Sequence, residues 1–252
     1  MNQAEYRRPI RRSAKKSALG IPRQQPLHAA AVERLRDMII EGDLAVGERL
    51  HDANLAEILN VSRTPIREAI KLLAIEGLVE LLPGRGARVV ALSIESVSEL
   101  FEVIAGIERH ACELAAVRMT PRDFDKLQRM HERMAGHHRA GERHDYFKLN
   151  HEIHLAIVAA SKNAILQSTH ASLIAKARRG RYTALASQAR WIEAMAEHEF
   201  LMQAFADRDS RKAGEIMFQH DRRTGAVVLE LLENAAPAEF GIASAMQSDV
   251  RR

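Results

Sequence analysis

One stretch constrains this chain more than any other. It is Leu55-Ala56-Glu57-Ile58-Leu59-Asn60-Val61-Ser62-Arg63-Thr64-Pro65-Ile66-Arg67, which holds a helix stop, a turn and a helix start in close succession. Leu55, Ile58 and Leu59 form the apolar stripe of a short helix over 53–59. Asn60 can end that helix in the left-handed conformation. Ser62 is the expected N-cap of the next helix, and Pro65 lies in its first turn, where a missing N–H costs little. That helix runs to about Glu76 and stops at Gly77. Ile66, Ile70 and Leu73 give it an apolar face. Arg63, Arg67 and Lys71 give it a basic one, because residues four apart drift only ~40° per step around the axis. A short helix, a tight turn and an amphipathic helix make a helix-turn-helix.

The flanks extend the unit. Val32, Leu35, Met38 and Ile39 recur at helical spacing up to Gly42, a natural C-cap, and Leu44–Glu48 reads as a turn. Downstream, Leu78–Leu82 and Ala87–Val90 flank Pro83-Gly84-Arg85-Gly86, which predicts a β-hairpin. In this geometry the second helix of the motif enters the major groove, and Arg63, Thr64 and Arg67 near its start meet base edges. Arginine is the side chain that bridges guanine O6 and N7. Ser62 and Thr64 hydroxyls and the helix-start amides suit a phosphate, with Lys71 further along the same face. The hairpin is then a wing, with Arg85-Gly86 at its tip. A solvated basic face would explain the three cations alone; the cap, the turn and the Gly-rich hairpin favour DNA.

Charge is unevenly placed. Residues 1–25 carry Arg7, Arg8, Arg11, Arg12, Lys15, Lys16 and Arg23 against Glu5 alone, whereas the remainder is close to neutral. The arm suits any polyanion, but binding by 26–92 must come from local placement of charge. With a single Cys a disulfide framework is excluded, and a reducing, cytoplasmic setting is the expectation. No apolar run approaches the ~18 residues of a membrane span, and no apolar segment follows the basic arm as a secretory signal requires. Seven Phe, three Tyr and one Trp are too few for a base-stacking platform.

From Ser93 onward every segment reads as helix, at about 96–118, 121–138, 143–161, 163–186, 189–207 and 209–233. Ser96-x-x-Glu99 predicts a capping box, and Thr120-Pro121 a second start. The expected architecture is mostly α: a winged helix-turn-helix, then an all-α bundle. The expected divisions are a basic arm (1–25), a DNA-binding domain (26–92), a bundle (93–233) and a tail (234–252). Asn150 and His154 share one helix face, four residues apart, while His198 and His220 lie mid-helix elsewhere. Imidazoles from three helices could converge on a divalent metal inside a bundle. Spacing alone leaves open that they are ordinary core or surface histidines; His131, His137, His138, His144 and His151 read as surface or turn residues. Cys112 reads as packing.

The resemblance to known families is specific. The run Leu55–Ala69, with Leu72-Leu73-Ala74-Ile75-Glu76-Gly77-Leu78-Val79 after it and Gly47-Glu48-Arg49-Leu50 before it, resembles the winged helix of the GntR family of bacterial transcription regulators over about 27–92. It implies operator contacts from Arg63, Thr64 and Arg67 and from the wing tip at Arg85-Gly86. Ala53 replaces an arginine that some relatives use on DNA. Residues 96–233 resemble the FCD domain of the FadR-type branch. The likeness rests on Leu100-Phe101-Glu102-Val103, Glu108, Asn150-His151-Glu152-Ile153-His154, Ser161-x-Asn163, Glu197-His198 and His220.

The likeness implies a divalent metal (zinc, nickel, manganese or iron) on Asn150, His154, His198 and His220. Asn150 stands where Asp is usual, so the site loses a charge and should bind more weakly. Ile104 stands where many members carry an arginine. The implied ligand is a small carboxylate-type effector, for which Arg178 or Arg181 is the available cation. Two-fold symmetry implies a homodimer on a pseudo-palindromic duplex. Two other readings remain at this stage: a metal-free ligand sensor and a metal-dependent hydrolase. Against the hydrolase, Glu152 and Glu197, each beside a ligand in sequence, are expected to point elsewhere on their helices.

Overall fold

The computed structural model describes residues 27–234; the basic arm (1–25) and the tail, apart from Asn234, lie outside the described residues. The first unit is α1 (Leu27–Glu41), β1 (Arg49–Leu50), α2 (Asp52–Ile58), α3 (Arg63–Ile75), β2 (Val79–Leu82) and β3 (Gly86–Val89). Asn60 takes the left-handed conformation between α2 and α3 (φ 52°), as the sequence requires. α3 does start after Ser62, but the Ser62 side chain makes no capping hydrogen bond. The hairpin gains a strand, Arg49–Leu50, just past the turn expected at 44–48. β1 pairs antiparallel with β3, giving the order β1-β3-β2 with Arg49 opposite Arg88 and Val79 opposite Val89. Leu35, Ile66, Ala69 and Leu73 have no exposed surface and sit in a core closed by Leu50, Leu55, Leu78 and Val89.

The second unit is α4 (Ile94–Arg118), α5 (Pro121–Ala140), α6 (Arg143–Ala160), α7 (Ala164–Ala184), α8 (Gln188–Ala206) and α9 (Ser210–Asn234). The capping box of α4 lies one turn earlier than predicted. Ser93 accepts from Ser96 N–H and Ser96 reaches back to Ser93, so Ser96 is the third helical residue and not the cap. Thr120 caps α5 as expected, with Asp123 completing the box. α4 and α9 pack closely because α9 offers no side chain at Gly225: a Cβ there would lie 2.6 Å from the Phe101 Cβ. Cys112 is fully buried in the main core with Met134, Tyr146, Ile153 and Met217. α7 also reaches the first unit, where Ala175 joins the winged-helix core.

Candidate DNA-binding surface and buried histidine centre

Ser62, Arg63 and Thr64 stand exposed at the start of α3, and Arg67 and Lys71 follow on the same outward face while Ile66 and Ile70 turn inward. A groove of ≈ 460 Å³ runs between α3 and the hairpin, lined among others by Asp52, Arg67, Lys71, Arg85 and Gly86. Gly86 has φ +84°, and the turn is closed by Arg85 N–H donating to the Leu82 carbonyl at 2.9 Å. The predicted recognition residues therefore share one surface. They are not all free: Arg67 Nε donates to Asp52 Oδ2 at 2.6 Å, and Lys71 donates to Glu68 Oε1 at 2.8 Å. The Arg67 guanidinium holds the Asp52 carboxyl below the usual carboxylate range. Asp52 carried no signal in the sequence beyond an acid at a helix start.

Inside the bundle, His154 from α6, His198 from α8 and His220 from α9 come together. Their ring centroids lie 4.9–5.5 Å apart, and each offers a nitrogen within 4.8 Å of the others. All three are buried, as is Asn150 one turn before His154. His154 Nε2, His198 Nε2 and Asn150 Oδ1 are buried without a hydrogen-bond partner. Polar atoms are rarely left so, because each costs on the order of 1–3 kcal/mol unsatisfied. Neutral imidazoles and an amide oxygen are a donor set that fits a divalent cation.

Two carboxylates brace this centre. Glu108 on α4 accepts from His154 Nδ1 through one oxygen, and through the other from His170 Nε2 (2.7 Å) and Arg181 Nη2 (2.8 Å). Glu197 Oε2 faces His220 Nδ1 at 2.7 Å and Arg190 Nη2 at 2.6 Å. Glu197 was expected to point away. It turns inward because α8 is buried over a wide arc that takes in both 197 and 198, and its partner is the histidine of the neighbouring helix. Burial pushes Glu108 up, but Arg181, His154 and His170 outweigh it and hold the carboxyl well below its ordinary value. Burial likewise raises Glu197, and His220 and Arg190 bring it down to about 2. His154 falls to about 3, chiefly through burial and Arg181, and His198 falls well below its ordinary value through burial and its two histidine neighbours. Burial also lowers His220, against Glu197. The three rings are thus neutral near pH 7.

Arg178 and Arg181 separate. Arg181 is buried, bridges Glu108 and Asp221 (2.7 Å), and leaves Nε and Nη1 without partners. Arg178 is not brought to the centre: three residues back on α7 it faces the winged helix and pairs with Asp37 of α1 at 2.7 Å. His131, His138 and His151 are half-buried and not surface residues, His138 meeting Trp191 edge-on with centroids 4.8 Å apart. Two other clusters could hold a cation. Glu108–His154–Asp221 is already tied to Arg181, and His137–Glu142–Asp145 is largely exposed. The sequence missed Arg190, His170 and Asp221. Their only signal was a charged or imidazole side chain at a position where helical periodicity demands a core residue.

A winged helix with a basic outward face, joined to a helical bundle with a buried polar centre, is the architecture of a DNA-binding regulator. The comparisons agree. Residues 27–89 match the gntR family of bacterial regulatory proteins, and residues 99–223 match the FCD domain. The Glc operon transcriptional activator of Escherichia coli K12 is 31% identical over 172 residues, 60% of this chain and 66% of that protein. The Nta operon transcriptional regulator of Aminobacter aminovorans is 29% identical over 197 residues, covering 75% and 88%. The solved structure of E. coli McbR/YncC shares the fold, with a TM-score of 0.74 and 23% identity over 83% of this chain and 100% of that one. The chain belongs to the GntR family and carries an FCD domain. It is a DNA-binding regulator of transcription and not an enzyme, so the hydrolase reading falls. Among the described residues no helix is long and apolar enough to cross a membrane.

Proposed function

We propose that residues 26–92 form an operator-binding domain and residues 93–233 an effector-binding, dimerising domain. Arg63, Thr64 and Arg67 read bases in the major groove. Ser62 and Lys71 hold phosphates, and the wing tip at Arg85-Gly86 touches the neighbouring backbone or minor groove. Ser62 supports this role because its hydroxyl is not spent on capping α3. Each recognition helix reads only a few base pairs, so a homodimer on a pseudo-palindromic duplex doubles the contacts.

In the bundle, Asn150, His154, His198 and His220 would hold a divalent cation of the zinc, nickel, manganese or iron group. The observation that carries this reading is the convergence of three buried imidazoles, two of them with a partnerless Nε2, with the partnerless Asn150 Oδ1 one turn before His154. A bound cation would supply an open Lewis-acidic position for a carboxylate oxygen of a small organic acid. Of the two arginines expected from the sequence, Arg181 is the one we assign to the effector, since it shares Glu108 with His154 and keeps two donors without partners. Arg178 is given a structural part at the domain boundary.

Metal analysis of the purified protein, with anisotropy of a labelled operator-like duplex before and after chelation, tests the proposal. Near-stoichiometric metal, lost in His198→Ala, and duplex affinity that responds to chelator and to small organic acids are expected. Undiminished metal in His198→Ala would overturn the site. Affinity that responds to acids in metal-stripped protein would favour the metal-free sensor.

A further inference from the structure

We propose that Glu108 and Glu197 are positioning residues for the cation site: each accepts the Nδ1 proton of one ligand histidine, fixing the tautomer that turns the Nε2 lone pair of His154 and His220 to the shared centre. The inference deepens the metal reading given above and rests on it.

The chemistry follows from proton placement. A neutral imidazole carries one N–H and one lone pair, and its tautomer is set by the partner of the nitrogen that does not bind metal. Glu108 reaches His154 only through Nδ1, and a carboxylate can only accept, so Nδ1 carries the proton and Nε2 the lone pair. Nε2 of His154 is the atom left buried and partnerless.

At His220 the Nδ1 atom has two neighbours, Glu197 Oε2 at 2.7 Å and Arg190 Nη2 at 3.1 Å. The arginine has better acceptors in Glu197 itself (2.6 Å) and in the His220 carbonyl and Thr224 hydroxyl (both 3.1 Å). His220 therefore donates to Glu197, and the same tautomer results. Neither carboxylate is free to turn away. Glu108 is held by His170 and Arg181, and Glu197 by Arg190 and by Arg223, whose Nη1 donates to Oε1 at 2.6 Å.

Each carboxylate is matched by an arginine, so what it gives the ligand set is orientation and not net charge. His198 has no such carboxylate among its hydrogen bonds, so its tautomer is not fixed in this way.

Two measurements on the full chain test the proposal. Long-range proton–nitrogen NMR of the metal-stripped protein reads histidine tautomers directly. His154 and His220 are expected as Nδ1–H forms, with Glu108→Gln and Glu197→Gln each turning one ring into a mixture. Zn²⁺ titration by calorimetry is expected to show affinity reduced ~10–100-fold in either variant at unchanged stoichiometry. Glu197→Asp should recover part of the loss. A purely structural role would lower the melting temperature of the stripped variants without moving the tautomers. Should Glu108→Gln fail to fold, because it also touches Arg181, Glu197→Gln carries the test alone. Wild-type rings in the Nε2–H form, or Gln variants with unaltered tautomers and Zn²⁺ affinity, overturn the positioning role. If the unsubstituted protein takes up no Zn²⁺, or His198→Ala leaves uptake intact, the metal reading itself fails.

Discussion

At the scale of single residues, the recognition face is defined by what restrains it. Arg67 is well exposed yet tethered through Nε to Asp52, and its terminal amino groups have no hydrogen-bond partner among the described residues. An exposed ion pair of this kind contributes little to stability, so its consequence is orientational. Replacing Arg67 by Ala should cost about 1–3 kcal/mol of discrimination at one base pair. Competition gel shifts with a single-site duplex library would read this as relaxed preference with an unaltered melting temperature.

The buried histidines set a pH dependence in the metal-stripped protein. His151, His154 and His198 titrate well below their ordinary 6.5, mainly through burial, so the unfolded chain binds more protons than the folded one below about 6.5. Their stabilisation is complete above that value and is lost as pH falls. Asp221, pushed up to about 8 by burial and Glu108, acts in the opposite sense with one proton. His131 and His220 are lowered by burial as well, so the histidines outnumber the one carboxyl and stability should drop as pH falls from 7 to 5. Urea midpoints in the presence of chelator check the sign.

At the scale of elements, α4 and α9 pack closely, and Gly225 and Gly180 allow Phe101 to enter between α9 and α7. Gly225→Ala would gain up to about 1 kcal/mol of helix propensity. Its Cβ would, however, meet Phe101 Cβ and Cγ at 2.6 and 2.8 Å, atoms next to the backbone that cannot swing aside. Overpacking costs typically ~1–3 kcal/mol, so a net loss is expected in thermal denaturation. Gly180→Ala meets only the far edge of the ring and should cost less.

At the scale of the whole molecule, α7 touches both units. Its inward residues His170 and Arg181 bind Glu108 beside the histidines. Its other face carries Arg178 on Asp37, Arg179 donating to the Val90 carbonyl, and Ala175 in the winged-helix core. A change at the centre that moves α7 therefore reaches α1 and the end of β3 directly. Arg178→Met removes the guanidinium that pairs with Asp37 and lies over the Phe147 ring. It should leave metal content unchanged while shrinking the difference in duplex affinity between loaded and stripped protein, a coupling of ~1–3 kcal/mol. Paired anisotropy titrations would show this; an unaltered difference would remove α7 as the link.

The sequence alone determined the local features: which segments are helical, where Asn60 breaks the chain, and which side of α3 is basic. These depend on periodicity and on single-residue backbone preferences, which act over a few residues. It also set Asn150 and His154 on one face, because four residues make one turn. Tertiary structure decided the rest. That His154, His198 and His220 meet, that Glu197 turns toward α9, that Arg181 is buried while Arg178 faces Asp37, and that two residues at 49–50 become a strand all depend on contacts between segments far apart in sequence. Such contacts follow from how helix faces pack together, and no window along the chain contains that information.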